Sequence, residues 1–217
     1  MKRVIAITVA TATTAALGVM APAADATFPG ERGPISFQRL LDPQDDASSQ
    51  IFSATSTHKA RRLTHAHGGA FAPDYSPDGA AIAFEVRPGD GAPDSLYTMR
   101  ADGTQAAQLP PPCTAECLGE GEPTWTPAGD RITFARAFGP IIDDNASEID
   151  IAIAGVDRSG EQVLKRFKSG GREPHSIQWS PDARLIAVTL LNTTAKPVGA
   201  SAIHLYDAQG HHVRQIT

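Results

Sequence analysis

Apolar residues arrive along this chain in short bursts rich in β-branched and aromatic types, separated by polar turn residues. Ala81-Ile82-Ala83-Phe84, Arg131-Ile132-Thr133-Phe134 and Leu185-Ile186-Ala187-Val188 are three such bursts. Their length and composition predict strands. Each follows an aromatic, a hydroxyl residue and a proline: Tyr75-Ser76-Pro77-Asp78-Gly79, Trp125-Thr126-Pro127-Ala128-Gly129 and Trp179-Ser180-Pro181-Asp182-Ala183. Proline presets φ for the second position of a tight turn, Asp or Ser bonds the local backbone, and Gly accepts positive φ. Tyr75, Pro77, Asp78 and Gly79, Trp125, Pro127 and Gly129, and Trp179, Pro181 and Asp182 are therefore structural corners joining antiparallel strands. Ala183 stands where the other two corners have Gly, which predicts a turn that is slightly strained or differently shaped.

The corners are 50 and 54 residues apart, a period that points to one supersecondary unit per repeat. A third strand is predicted in each unit at Leu96–Met99, Ile149–Ile153 and Ile203–Tyr206, each followed by a Gly-containing turn. A short fourth strand closes each unit at Ala107–Leu109, Gln162–Leu164 and Val213–Ile216. Four antiparallel strands per repeat make a β-propeller blade. Residues 35–64 read as a further blade without its first strand, with strands at Pro34–Phe37, Gln50–Ser53 and Arg61–Thr64. The prediction is an all-β chain of fifteen strands in about four blades, near 33–68, 69–112, 119–168 and 172–217.

The blade pattern Trp-Ser-Pro-Asp-Gly, Ile-Ala-Phe, a strand with an Asp-Gly turn, then Leu-Thr resembles the WD-repeat-like propeller repeats of TolB-type proteins. Pro73–Leu109 matches best, Pro123–Phe134 well, and 177–217 with the Ala183 departure. The resemblance implies the fold. TolB-type proteins also carry an N-terminal α/β domain that nothing here matches, so no role in a Tol complex is implied. Related propellers often have six blades, which at this period needs about 300 residues. The expectation is thus an incomplete, open arc that is marginally stable or self-associating.

The first 26 residues differ from the rest. Lys2 and Arg3 precede an uncharged run from Val4 to Met20, and small residues stand at Ala24 and Ala26. This order predicts a signal peptide cut after Ala26, followed by a linker at 27–32, and a secreted, periplasmic or cell-envelope location. The alternative is a membrane anchor, for which the run is short and rich in Ala and Thr. No later stretch suits a bilayer, so no stable insertion is expected after cleavage. Lys2, Arg3 and Asp25 leave with the signal, so 17 basic and 23 acidic residues remain. That balance argues against a nucleic-acid partner.

Cys113 and Cys117 are the only cysteines. In an oxidising compartment their spacing reads as a local disulfide, with a metal site as the alternative. No nucleophile elbow, phosphate loop or His-Glu-x-x-His is present, and no cofactor is expected. His65 and His67 could serve a metal or simply be solvated, and the acidic loops around Asp45, Asp90 and Asp143 lack regular calcium-ligand spacing.

Strand order places the corners on one face of the propeller and the longer, varied loops on the other. Asp45, Asp46, His65, His67, Asp143, Asp144 and His175 fall on the loop face and are the candidate binding residues. The leading expectation is a non-catalytic module for a protein or peptide partner of cationic character. The alternatives are a propeller-based metal-dependent lyase or hydrolase using His65 and His67, and a non-functional fragment of a longer propeller protein.

Overall fold

Each predicted corner joins two antiparallel strands. The Ser76 hydroxyl donates to Asp78 Oδ1 at 2.6 Å and accepts from the Ala81 N–H at 2.9 Å, while Asp78 also accepts from the Ala80 N–H. Ser180 and Asp182 repeat this arrangement with Arg184 and Leu185. These hydroxyl bonds hold the Asp78 and Asp182 carboxyls below the ordinary carboxylate range. In the middle corner Ala128 cannot play this part, and Asp130 accepts from the Thr126 hydroxyl instead, at 2.9 Å. Gly79 and Gly129 sit at φ 70° and 73°, and Ala183 adopts φ 57°. The third corner therefore keeps the shape of the others. Its Cβ is held in the left-handed region at a cost of roughly 1 kcal/mol.

The computed structural model describes residues 33–217, apart from 57, 111–116, 143–144, 169–171 and 193–199. Among them are fifteen strands and a single 3-10 turn at Asp46–Ser48. Blade 1 holds β1 (Ile35–Leu40), β2 (Ser49–Ala54) and β3 (Arg61–Arg62). Blade 2 holds β4 (Ala70–Tyr75), β5 (Ala81–Val86), β6 (Ser95–Arg100) and β7 (Ala107–Gln108). Blade 3 holds β8 (Cys117–Trp125), β9 (Ile132–Ile142), β10 (Asn145–Ala154) and β11 (Gln162–Lys168). Blade 4 holds β12 (Glu173–Trp179), β13 (Leu185–Asn192), β14 (Ala200–Asp207) and β15 (His212–Gln215). All pairings within blades are antiparallel, in chain order. The architecture is thus an all-β arc of propeller blades, with three strands in the first.

The core is three layers between blades rather than one centre. Ile51 and Leu63 of blade 1 meet Ala70, Ile82, Phe84 and Met99 of blade 2. Ala83, Leu96 and Leu109 of blade 2 meet Trp125, Ile132, Phe134 and Ala152 of blade 3. Ile151 of blade 3 meets Ile177, Ile186, Val188, Leu190 and Tyr206 of blade 4. Strands buried on both faces read as continuous apolar runs, which is why Ile82-Ala83-Phe84 does not alternate. No strand of blade 1 packs extensively on blade 4 among the described residues, so the arc is open. Ile35, Leu40 and Leu41 at one end, and Val213 and Ile216 at the other, stay exposed.

The corner aromatics tie each blade to the one before. Tyr75 hydrogen-bonds Ser53 at 2.9 Å, and Trp179 Nε1 donates to Thr133 Oγ1 at 2.9 Å. Trp125 Nε1 is buried without a partner. Blade 2 explains the difference, because Ala83 occupies the position that Thr133 fills in blade 3. Ala83→Ser supplies the missing acceptor. A buried hydrogen bond contributes about 1 kcal/mol net, so the urea midpoint should rise. A fall in stability of that size or more would show that the site has no room for the hydroxyl.

Candidate binding face

The two faces are built differently. On the corner face, turns pack on turns: the Ala101 N–H donates to Ala80 O at 2.9 Å, and Arg61 reaches Asp102 O at 2.9 Å. On the opposite face, the Glu120 N–H of blade 3 donates to Asp94 O of blade 2 at 2.9 Å, and within blade 2 the Arg87 N–H donates to Gly69 O at 3.1 Å. The loops at 41–48, 63–69 and 87–94 and the beginnings of β8 and β12 thus share one rim.

The sequence-predicted residues are distributed over this rim. Asp45 caps the 3-10 turn by accepting from the Ala47 N–H at 3.0 Å, and Asp46 beside it is exposed. Gln50 holds both backbone groups of Ala66, at 2.7 and 3.0 Å, which presents His65 and His67 to solvent on either side. His175 is 3.9 Å from Glu173, and its Nε2 has no hydrogen-bond partner. Asp143 and Asp144 lie outside the described residues, as does Cys113, and with it the expected Cys113–Cys117 disulfide. Cys117 itself is buried at the start of β8. Among the described residues, no three His, Cys, Asp or Glu side chains gather in a way that could hold a metal ion.

The rim also contains a repeated device that sequence reasoning missed. The first strands of blades 2, 3 and 4 each bulge three residues before the corner aromatic, at Ala72, Glu122 and Ser176, with φ 45°, 53° and 45°. Bulges re-aim a strand and leave a backbone N–H outside the ladder. Here the preceding blade takes up each N–H. Gln38 Oε1 accepts from Ala72 at 2.9 Å, the Glu85 carboxylate accepts from Glu122, and Glu122 Oε2 accepts from Ser176 at 3.2 Å. Gln38 and Glu85 each follow the phenylalanine of their strand, Phe37 or Phe84. In blade 3 the same position is Ala135, too short to reach, and the bulge residue Glu122 does the work instead. The signal was available: a polar residue just after Ile-x-Phe.

Glu85 meets this requirement with a charge where Gln38 has none. One oxygen of its carboxylate abuts Gly121, whose missing Cβ would stand 2.1 Å from Oε2. Burial, then the charges of Asp94 and Glu122, push its pKa up to about 7. Arg87 pulls in the other direction but pairs with Asp94 at 3.5 Å and stacks on Phe71. Glu85, Asp94, Glu120 and Gly121 line a shallow cavity of about 190 Å³ between blades 2 and 3.

Comparison with solved structures supports the same architecture. The putative TolB of Agrobacterium tumefaciens superposes with a TM-score of 0.61 at 16% identity, over 84% of this chain and 60% of that one. TolB of Acinetobacter baumannii gives 0.61 at 13%, over 88% and 43%. The fold is that of the TolB-type β-propellers. In sequence, an uncharacterized protein of Agrobacterium fabrum is 31% identical over 124 residues, 56% of this chain and 40% of that protein. No family model matches the sequence. The chain therefore spans 40–60% of the length of the Agrobacterium proteins.

Within this TolB-type arc, blade 3 carries a charge ladder. Glu120, Arg136, Asp150 and Arg166 stand side by side across β8, β9, β10 and β11. Arg136 Nε meets Glu120 at 2.7 Å, and Arg166 grips Asp150 with two bonds at 2.7 and 2.8 Å. Arg136 also forks onto Glu161 at 2.7 and 2.8 Å and holds that carboxyl below its ordinary range. Arg158 reaches Glu120 at 3.2 Å and Pro110 O of blade 2 at 3.1 Å. Phe134 lies under both guanidiniums, 5.3 and 4.9 Å away. This network fixes blade 3 against blade 2 beneath the rim.

Proposed function

We propose that the chain is an exported, non-catalytic binding module of the cell envelope or secreted space, and that it engages a cationic protein or peptide on its loop face. The observation that carries this reading is the Glu85, Asp94 and Glu122 group on the rim, where the half-buried Glu85 carboxyl is pushed up to about 7 by burial and its acidic neighbours. A lysine or arginine supplied by a partner would relieve that repulsion and allow Glu85 to ionise. Asp45 and Asp46 extend the acidic character of the same rim. Export rests on the basic, apolar and small-residue order of residues 1–26, which lie outside the described residues; no helix among those described is long and apolar enough to cross a membrane.

Oligolysine is a direct probe. Charge reversal at Asp45, Asp46 and Asp94 should weaken its binding several-fold, with the loss largest at low salt, where exposed charges are least screened. Asp182→Asn in a corner should lower stability and leave affinity unchanged. Equal affinity in the loop variants, or selective loss in the corner variant, would overturn the assignment of the face. N-terminal sequencing of protein recovered from the expressing cells tests export separately, and Thr27 is the expected first residue.

A further inference from the structure

Away from the acidic group around Glu85, positive charge gathers beside blade 4. A cleft of about 510 Å³ opens between the outer part of blade 3 and blade 4. Lys165, Lys168 and Arg172 line it, together with Phe167, His204, Tyr206 and His212. On a chain with 24 acidic and 19 basic residues, this grouping is the opposite of the average surface.

The register accounts for it. Ile149 pairs with Phe167 and Ile151 with Lys165, so Lys165 and Phe167 share the face of β11 that looks toward blade 4. Ile186 pairs with Tyr206, Val188 with His204, and Tyr206 with His212, which puts both histidines on the opposing face. The aromatics form the floor, with Phe167 and Tyr206 edge to face at 6.3 Å. His204 Nδ1 and His212 Nε2 are 2.9 Å apart and share a hydrogen bond.

Three of the four lining cations have no carboxylate partner among the described residues, and Lys165 Nζ lies 6.0 Å over the Phe167 ring. Arg166 is the one basic lining residue with carboxylates, pairing with Asp150 and Glu148. Lys165, Lys168 and Arg172 have no carboxylate within ion-pair distance among the described residues. Burial first, then the Arg172 and His212 charges, hold His204 below the ordinary histidine range, as expected where positive charge is uncompensated. A cleft with several unpaired cations, hydrogen-bonding histidines and an aromatic floor suits an anion of some size.

We propose that this inter-blade cleft is a second binding site, distinct from the acidic group around Glu85, for a small multivalent oxyanion bearing phosphate or carboxylate groups. Lys165, Lys168 and Arg172 supply the charge. His212, exposed at the mouth, donates a hydrogen bond, and Phe167 and Tyr206 bound the site from below.

Calorimetric titration of the purified protein at low salt tests this with two probes, pyrophosphate and citrate. The expected result is saturable binding of at least one, weakened tenfold or more by a combined Lys165→Gln and Arg172→Gln variant and by 0.5 M salt. The tighter probe identifies the chemistry as phosphate or carboxylate. Arg214→Gln is the control: this exposed cation pairs with Leu205 on the other face of blade 4, and its loss should leave binding unchanged. Unchanged thermal melting of the variants confirms that folding is intact. The proposal is overturned if neither probe saturates, if the cleft variant binds as the parent does, or if Arg214→Gln weakens binding equally.

Discussion

The Glu85 contribution to stability should fall by about 3 kcal/mol as pH rises from 4.5 to 7.5, and Glu85→Gln should remove that contribution. The folded-state pKa of Glu85 is about 7 and its ordinary value is 4.5. Between those values the folded state holds a proton that the unfolded chain has released, so unfolding becomes easier as pH rises. Each pKa unit corresponds to about 1.4 kcal/mol, which gives the size of the effect. The sign is opposite to that of the corner residues Asp78 and Asp182. Their carboxyls are lowered, so their contribution is present at neutral pH and is lost on acidification. The substitution has an internal precedent, because Gln38 already performs the Glu85 task in blade 1 with a neutral amide. At pH 8 Glu85→Gln should therefore be more stable than the parent, and at pH 4.5 about equal to it. Urea titrations at the two pH values decide the matter. A variant less stable than the parent at pH 8 would mean that Glu85 is not the source of the dependence.

The second large effect concerns the network under the rim. Glu120→Gln should cost about 3 kcal/mol. The Glu120 side chain is 2% exposed and meets Arg136 and Arg158, themselves 7% and 10% exposed. Without its charge, two largely buried guanidiniums share Glu161 alone. Breaking a buried pair from one side leaves uncompensated charge, which is why the loss exceeds that of a surface pair. Removing charges on both sides, with Glu120→Gln, Arg136→Met and Arg158→Met together, should recover part of the loss. Chemical denaturation measures both, and a Glu120→Gln cost below about 1 kcal/mol would show that water reaches and screens the site.

The fold was legible because its signals are local. Pro77, Pro127 and Pro181 with their hydroxyl and Gly or Asp neighbours specify turns within five residues, and the spacing of the turns sets the blade. Even the three-stranded first blade could be read from Ile35-Ser36-Phe37, which matches Ile82-Ala83-Phe84 and Ile132-Thr133-Phe134 without a corner before it. The sites were harder to see because they depend on register between distant strands. Glu120 and Arg158 are 38 residues apart, and the bulge bond from Ser176 to Glu122 spans 54. A usable trace existed in Arg136 and Asp150, charges in the middle of otherwise apolar strands, which require a partner once both faces are buried. The cationic cleft left less trace, since Lys165 and Arg172 become neighbours of His204 only when blade 4 packs on blade 3.

The central claim is that the loop face, not the corner face, is where this propeller arc meets a partner. Backbone amide shifts recorded during titration with oligolysine test it most directly. The predicted changes centre on 63–69, 87–94, 117–122 and 173–176, around Glu85, Asp94 and Glu122. Shifts centred instead on the corners at 75–81, 125–131 and 179–185 would contradict the account.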